Sequence, residues 1–321
     1  MRQAAIDIGT NTCLLLIAES DRIGEMKILN DVHSIARLGA GVDKTKIIQQ
    51  DSYARLREIL LDYNKILGEH NVDAIAAVGT SALRDATNRD EILQKIKNEC
   101  GFEVEILSGA DESIWSYHGA ICGLTHSELQ GNVSTLDIGG GSTELSFGKN
   151  GNYINGKSIN IGAVRVKERF LSEINEASII LARTFIASEI QKSFTEPFHT
   201  EKLIAVAGTP TSLAAIKLKL ETFDAKKVNG TILTVTEISS IVREIFSLSP
   251  EELIKKYPAI HSSRADILAA GALIFEEIIK FLKLSEVQVS TYGLRYGIMI
   301  REFERKMKTE SDDWKIIASE N

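Results

Sequence analysis

Apolar and polar residues alternate along the chain in two different rhythms. Residues 4–8 (AAIDI) and 13–18 (CLLLIA) are apolar runs flanking Gly9-Thr10-Asn11-Thr12, and they predict two short strands joined by a tight turn. Between 52 and 67, Leu56, Ile59, Leu60, Tyr63, Ile66 and Leu67 recur at helical spacing and predict an amphipathic helix. A buried strand at 74–78 follows, then a turn at Gly79-Thr80-Ser81 and a helix after Asn88 with Ile92 and Ile96 facing inward. Residues 104–107 predict another strand, and Ser108-Gly109-Ala110-Asp111 opens the next helix. Strands alternating with helices predict an α/β sheet with parallel pairs.

The pattern then restarts. Residues 133–138 predict a strand, 139–142 a turn and 144–147 the returning strand. Asp7-Ile8-Gly9 and Asp137-Ile138-Gly139 thus end similar strands, about one domain length apart, and this suggests two similar domains. The second half carries helical patterns at 174–194, ended by Pro197, and at 265–282. Short strands are expected at 203–206 and 287–289, and a basic terminal helix closes the chain. The expected domains are 1–128 and 129–298, with a helix at about 299–321 packing back on the first. The polar stretch 125–131 suits a hinge.

A length of 321 residues with 44% hydrophobic content supports a sizeable core in each of about two domains. The net charge of -7 repels polyanions, which argues against a general nucleic-acid binder. A phosphorylated partner therefore needs a local basic site or a bridging cation. Cys13, Cys100 and Cys122 suit neither a disulfide framework nor a zinc knuckle and read as reduced, partly buried thiols. Met1-Arg2-Gln3 leads into a strand rather than a signal peptide, and no apolar run is long enough for a bilayer. The expected location is the cytoplasm, with no membrane partner.

Gly139-Gly140-Gly141-Ser142-Thr143 is the clearest chemical signal. Three glycines let the backbone turn sharply and approach a ligand closely, and their N–H groups can form a concave anion site. Ser142 and Thr143 add hydroxyl donors. Gly9, Thr10, Asn11 and Thr12 form the related loop. Asp7 and Asp137, at the last positions before these loops, and Glu144 on the returning strand are candidate ligands for magnesium or another divalent cation, which takes few carboxylates plus water and phosphate oxygens. Each acid alone also reads as a turn cap. Arg84 can present a planar fork to phosphate, or pair on the surface with Asp85 or Asp90. Asp111 and Glu112 suit the first turn of a helix on dipole grounds alone.

Taken together, these segments resemble the exopolyphosphatase / guanosine pentaphosphate phosphohydrolase family, in its short two-domain form. The matching segments are AAIDIGTNT at 4–12, RLGAGV at 37–42, GTSALRDA at 79–86, LSGADES at 107–113 and TLDIGGGSTEL at 135–145. IGAVR at 161–165, AGTPTS at 207–212, RADI at 264–267 and YGLRYG at 292–297 complete the set. The resemblance implies the fold of actin, the sugar kinases and the heat-shock chaperone ATPases: two ribonuclease H-like domains with an interdomain cleft. It implies that Glu112 positions an attacking water and that Arg84 contacts the scissile phosphate. Asp137 and Glu144 would be acids linked to magnesium, and the two glycine loops phosphate cradles. The chain departs from the family pattern at Asp111, usually a glutamate, and at Thr209-Pro210-Thr211, where relatives often carry more glycine. The second departure puts nucleotide recognition by that segment in doubt.

The expected activity is magnesium-dependent hydrolysis of the terminal phosphate of inorganic polyphosphate by direct water attack. The alternatives are guanosine pentaphosphate as substrate, a kinase or ATPase of the same fold, and a non-catalytic phosphate or nucleotide sensor. No nucleic-acid partner is expected, and a homodimer is allowed. The six histidines are scattered and receive no chemical role. Arg295, Arg301, Arg305, Lys306 and Lys308 are the visible basic residues near the C-terminus.

Overall fold

The computed structural model describes residues 1–195, 199–308 and 314–317. The chain divides into two compact units. The first holds Met1–Gln130, Gly151–Tyr153 and the chain from Tyr292 onward, and the second holds Gly131–Asn150 and Ile154–Thr291.

The first unit runs β1 (Arg2–Ile8), β2 (Thr12–Glu19), β3 (Glu25–Ile35), α1 (Val42–Thr45), α2 (Gln50–His70), β4 (Ala74–Gly79), α3 (Ser81–Asp85), α4 (Arg89–Cys100), β5 (Val104–Ile106) and α5 (Gly109–Ile121). The second runs β6 (Asn132–Ile138), β7 (Thr143–Lys149), β8 (Asn152–Ile159), α6 (Ala163–Phe170), α7 (Glu176–Ser193), β9 (Lys202–Val206), α8 (Gly208–Lys217) and α9 (Ala225–Val228). It continues through β10 (Ile232–Thr234), α10 (Val235–Phe246), α11 (Pro250–Lys256), α12 (Ser262–Leu282) and β11 (Glu286–Val289). The chain then returns to the first unit with α13 (Leu294–Met307) and β12 (Lys315–Ile317).

The two sheets have one plan. The first is ordered β12-β3-β2-β1-β4-β5 and the second β10-β11-β9-β6-β7-β8. In each, the opening hairpin is antiparallel, and its first strand pairs in parallel with the strand that follows the next helices: β1 with β4, β6 with β9. The repeated Asp-Ile-Gly turn therefore belongs to a repeated five-strand arrangement.

Alternation along β1 decides what covers each face of the first sheet. Ala4, Ile6 and Ile8 join Leu56, Leu60, Tyr63, Ile92 and Ile96 of α2 and α4 in one core. Ala5, facing the other way, joins Leu16, Ala18 and Val78 beneath Leu294, Ile298, Met299 and Phe303 of α13. Each fully buried Leu or Ile of these cores stabilises the fold by roughly 1.5–3 kcal/mol. A third core, under α12, fills the second unit.

Several elements differ from the periodic reading. β3 and β8 have no clean alternation, and half-buried or exposed positions dominate both. The segment at 207–212, given no element by periodicity, opens α8 with Ala207 as its cap. The expected terminal helix at 299–321 begins earlier, at Leu294, and stops at Met307, where Lys308 turns into the left-handed region with φ 55. Lys315–Ile317 then pairs with β3 as a strand. Residues 309–313 and 318–321 of that expected helix, and Pro197, lie outside the described residues. Among the described residues no helix is long and apolar enough to cross a membrane.

Candidate active site

In the second unit, the turn between β6 and β7 closes with Gly139 N–H donating to the Ser142 carbonyl at 3.0 Å. The first turn of α6 then takes up the loop's carbonyls. Ala163 N–H donates to Gly139 O at 2.9 Å, Val164 N–H to Gly140 O at 2.9 Å, and the Arg165 Nε–H to Gly141 O at 2.8 Å. In a planar trans peptide the next N–H points opposite the carbonyl. Anchoring these three carbonyls to α6 therefore aims the N–H groups of Gly140, Gly141 and Ser142 away from it, as an anion-binding nest requires. The contact demands glycine at 162, because a Cβ there would stand 2.3 Å from the Gly140 carbonyl oxygen.

The first unit repeats this device with other residues. Gly9 N–H donates to Thr12 O at 2.9 Å, while Arg37 N–H and Gly39 N–H hold Asn11 O at 2.9 Å and Thr10 O at 2.8 Å. The N–H groups of Asn11 and Thr12 face the other way by the same peptide geometry. Arg37 reaches this position in the left-handed region, with φ 48. A Cβ at Gly39 would meet Thr10 Cγ2 at 2.3 Å, so this approach also requires glycine.

The titratable pair of the first unit lies where β4 and β5 end. Arg84, in α3, donates from Nη1 to Glu112 Oε2 at 2.7 Å and to the Leu107 carbonyl at 2.9 Å. Glu112 is buried in the first turn of α5. Its neighbour Asp111 is occupied by the cap: Ser108 Oγ accepts from Asp111 N–H at 3.1 Å and donates to Asp111 Oδ2 at 2.6 Å. Of the two adjacent acids, the cap takes Asp111 and the guanidinium takes Glu112. The sequence offered Asp85 or Asp90 as partners of Arg84, but the carboxylate at Nη1 is Glu112, brought close by the parallel pairing of β4 with β5.

A match to the family's sequence profile covers residues 16–306. The chain belongs to the Ppx/GppA phosphatase family. It is 30% identical over 317 residues to Exopolyphosphatase 2 of Mycobacterium tuberculosis, covering 93% of this chain and 98% of that one. It is 29% identical over 316 residues to the bifunctional 3-dehydroquinate synthase/phosphatase of Fusobacterium nucleatum, covering 95% of this chain but 47%, about half, of that protein. The crystal structure of the Aquifex aeolicus family member superposes with a TM-score of 0.80 at 30% identity, over 95% of this chain and 98% of that one. Both units accordingly have the actin-like, ribonuclease H-like fold, and the chain is a hydrolase of the Ppx/GppA family.

The candidate metal ligands separate into two groups. Asp137 and Glu144 are directly opposite each other in the β6–β7 register, so their side chains share one face. Glu144 is buried and accepts from Ser158 Oγ at 2.6 Å. Two hard carboxylates beside a glycine loop with outward N–H groups fit the small protein share of a magnesium shell. Asp7 occupies the matching position of the first unit, but its register partner there is Leu14. Asp7 and Asp137 are half-buried rather than buried; Ile8 and Ile138 are the last buried residues before the turns. Among the described residues, no group of three or more acidic, histidine or cysteine side chains forms a closed protein cage for a metal.

Thr143 corrects another expectation. Its hydroxyl donates to the Ile161 carbonyl, so its single proton holds the loop rather than facing a ligand. At the start of α8, Thr211 and Ser212 likewise turn their hydroxyls onto the Ala207 and Gly208 carbonyls, at 2.8 Å and 2.6 Å. Sequence reasoning did not single out Arg165, Gly162, Arg37 and Gly39, which shape the two loops. Their signal was present in the motifs at 161–165 and 37–42, each a glycine within three residues of an arginine shortly after a strand.

Proposed function

We propose that the protein is an exopolyphosphatase that releases the terminal phosphate of inorganic polyphosphate. The observation that carries this reading is the pair of carbonyl-anchored loops, which turn consecutive backbone N–H groups outward in each unit. Such donors suit a substrate made of repeated phosphates. The substrate named for the similar mycobacterial protein, a polyphosphate, has that chemistry.

In this reading a water oxygen attacks the terminal phosphorus. The anhydride P–O bond breaks, its electron pair leaves with the shortened chain, and Glu112 orients the water and accepts its proton. Arg84 holds Glu112 and meets the phosphoryl oxygens with its remaining N–H groups. Asp137 and Glu144 in the second unit would hold magnesium or another divalent cation, Asp7 would offer a ligand in the first, and the cation would supply charge neutralisation. Because phosphoryl transfer depends mainly on positioning and charge, no further nucleophile is required.

Phosphate release from polyphosphate, guanosine pentaphosphate and ATP, measured side by side with magnesium, tests the reading. Polyphosphate should be the preferred substrate. Turnover of guanosine pentaphosphate alone would replace the substrate, and transfer of phosphate from ATP to a sugar would make the chain a kinase. Binding without turnover of any of the three would make it a sensor.

A further inference from the structure

We infer that the segment at 292–297, together with α13 which it opens, is the positioning element for Glu112; this rests on the reading of Glu112 as the residue that orients water. α5 and α13 meet backbone to backbone. A Cβ on Gly119 would stand 2.1 Å from the Gly293 carbonyl oxygen, and a Cβ on Gly297 would stand 1.8 Å from the Trp115 carbonyl oxygen. Residues 112, 115 and 119 share one face of α5 by helical spacing. Glu112 therefore lies about one turn from the contact, on the face that α13 supports, and any displacement at Trp115 carries it along.

α13 is itself fixed across the sheet. Arg295, buried, makes a bidentate pair with Asp31 of β3 at 2.9 and 2.8 Å, and the Tyr296 hydroxyl donates to the same carboxylate at 2.9 Å. At the opposite edge, Arg301 pairs with Glu105 of β5 through both terminal nitrogens, at 3.1 and 2.8 Å. Between these anchors α13 packs on β1, β2 and β4. The helix is a crossbar tied to the sheet at its first turn by Arg295 and at its middle by Arg301, and the three glycines transmit its position to α5 without an intervening side chain. A misplacement of about 1 Å of a reacting group costs on the order of a hundredfold in rate.

The test is a double-mutant cycle of Gly297→Ala with Glu112→Gln, reading kcat and KM for polyphosphate on protein whose fold is checked by circular dichroism. Gly297→Ala alone should lower kcat about a hundredfold with KM changed less than about threefold. In the Glu112→Gln background it should cost almost nothing more, because the group being positioned is already gone. A loss equal in both backgrounds means a merely structural role and overturns the proposal. If Gly297→Ala does not fold, Arg301→Gln removes one edge anchor and the guanidinium over the Trp115 ring, and the same cycle with a smaller loss of kcat decides. If Glu112→Gln alone leaves turnover intact, the assignment of Glu112 fails instead, and the two failures are distinct.

Discussion

Arg84 and Glu112, from different helices of the first unit, are joined by a 2.7 Å charge-assisted hydrogen bond, and the same Arg84 nitrogen also holds the Leu107 carbonyl. Glu112 is thereby held at the end of the sheet before any substrate arrives. Glu112→Gln keeps the size and a hydrogen-bonding oxygen but loses the base, so the fold should survive. Turnover should fall by about two to four decades, the range for general base catalysis. Steady-state phosphate release measures this, and near-normal turnover would remove Glu112 from the mechanism.

Arg165 acts on the second loop at one remove. Its Nε–H holds the Gly141 carbonyl, which in turn fixes the direction of the Ser142 N–H. Lysine cannot reproduce the guanidinium's directed N–H. Arg165→Lys should raise KM for polyphosphate roughly 10- to 100-fold, the equivalent of one charged hydrogen bond, with a smaller change in kcat. An unchanged KM would mean that the loop holds its shape without this residue.

How much of this was legible in the sequence depends on how local each partner is. The hairpins were legible because strand, turn and returning strand lie within a few residues, as in Asp137 to Glu144. β3 was not, because its Asp31 breaks the apolar alternation and finds its compensating Arg295 264 residues later. Arg165 was visible as a motif letter, but its role lies in a bond to a carbonyl, and a carbonyl leaves no trace in residue identity. The difference between Asp137 opposite Glu144 and Asp7 opposite Leu14 is written in the sequence, yet it acquires meaning only with the register.

Asp31 contributes to the acid sensitivity of the first unit. Burial alone would raise its carboxyl pKa, but the Arg295 guanidinium, with hydrogen bonds from His33 and Arg295, holds it well below the usual carboxylate range. Its folded-state pKa is depressed, so its contribution is complete above the ordinary carboxylate pKa of about 4 and is lost as pH falls below it. Asp31→Asn should lower stability at neutral pH by about 3–5 kcal/mol, because Arg295 is left buried without its carboxylate. The variant should also lose stability less steeply than the parent below about pH 4. Urea midpoints across this pH range check both; parallel curves would discount the pair.

Metal dependence should follow the register of the hairpins. Excess chelator should abolish phosphate release and magnesium should restore it. Asp137→Asn and Glu144→Gln should each raise the magnesium concentration needed for half-maximal rate. Asp7→Asn should raise it less, since the residue opposite Asp7 is a leucine. Titrations of rate against magnesium measure the order, and activity that persists in excess chelator would discard the metal.

Substrate length follows from what the C-terminal basic residues already contact. A processive enzyme must grip a long polyanion at many points while its end is cut. Here Arg295 is paired with Asp31, Arg301 with Glu105 and Glu302, and Arg305 with Glu302. Three of the six basic side chains from Arg295 onward, Lys306, Lys308 and Lys315 being the others, are thus paired within the first unit, and the net charge of -7 opposes a distant polyanion. Salt screens that field within about 10 Å, so remote phosphates gain only where a cation touches them. The enzyme should therefore release its substrate between cuts, acting well on short chains and distributively on long ones. Gels of partly digested long polyphosphate should show a ladder of intermediate lengths. If only full-length chains and free phosphate are present at half-digestion, the enzyme holds its substrate, and these ion pairs must open to receive it.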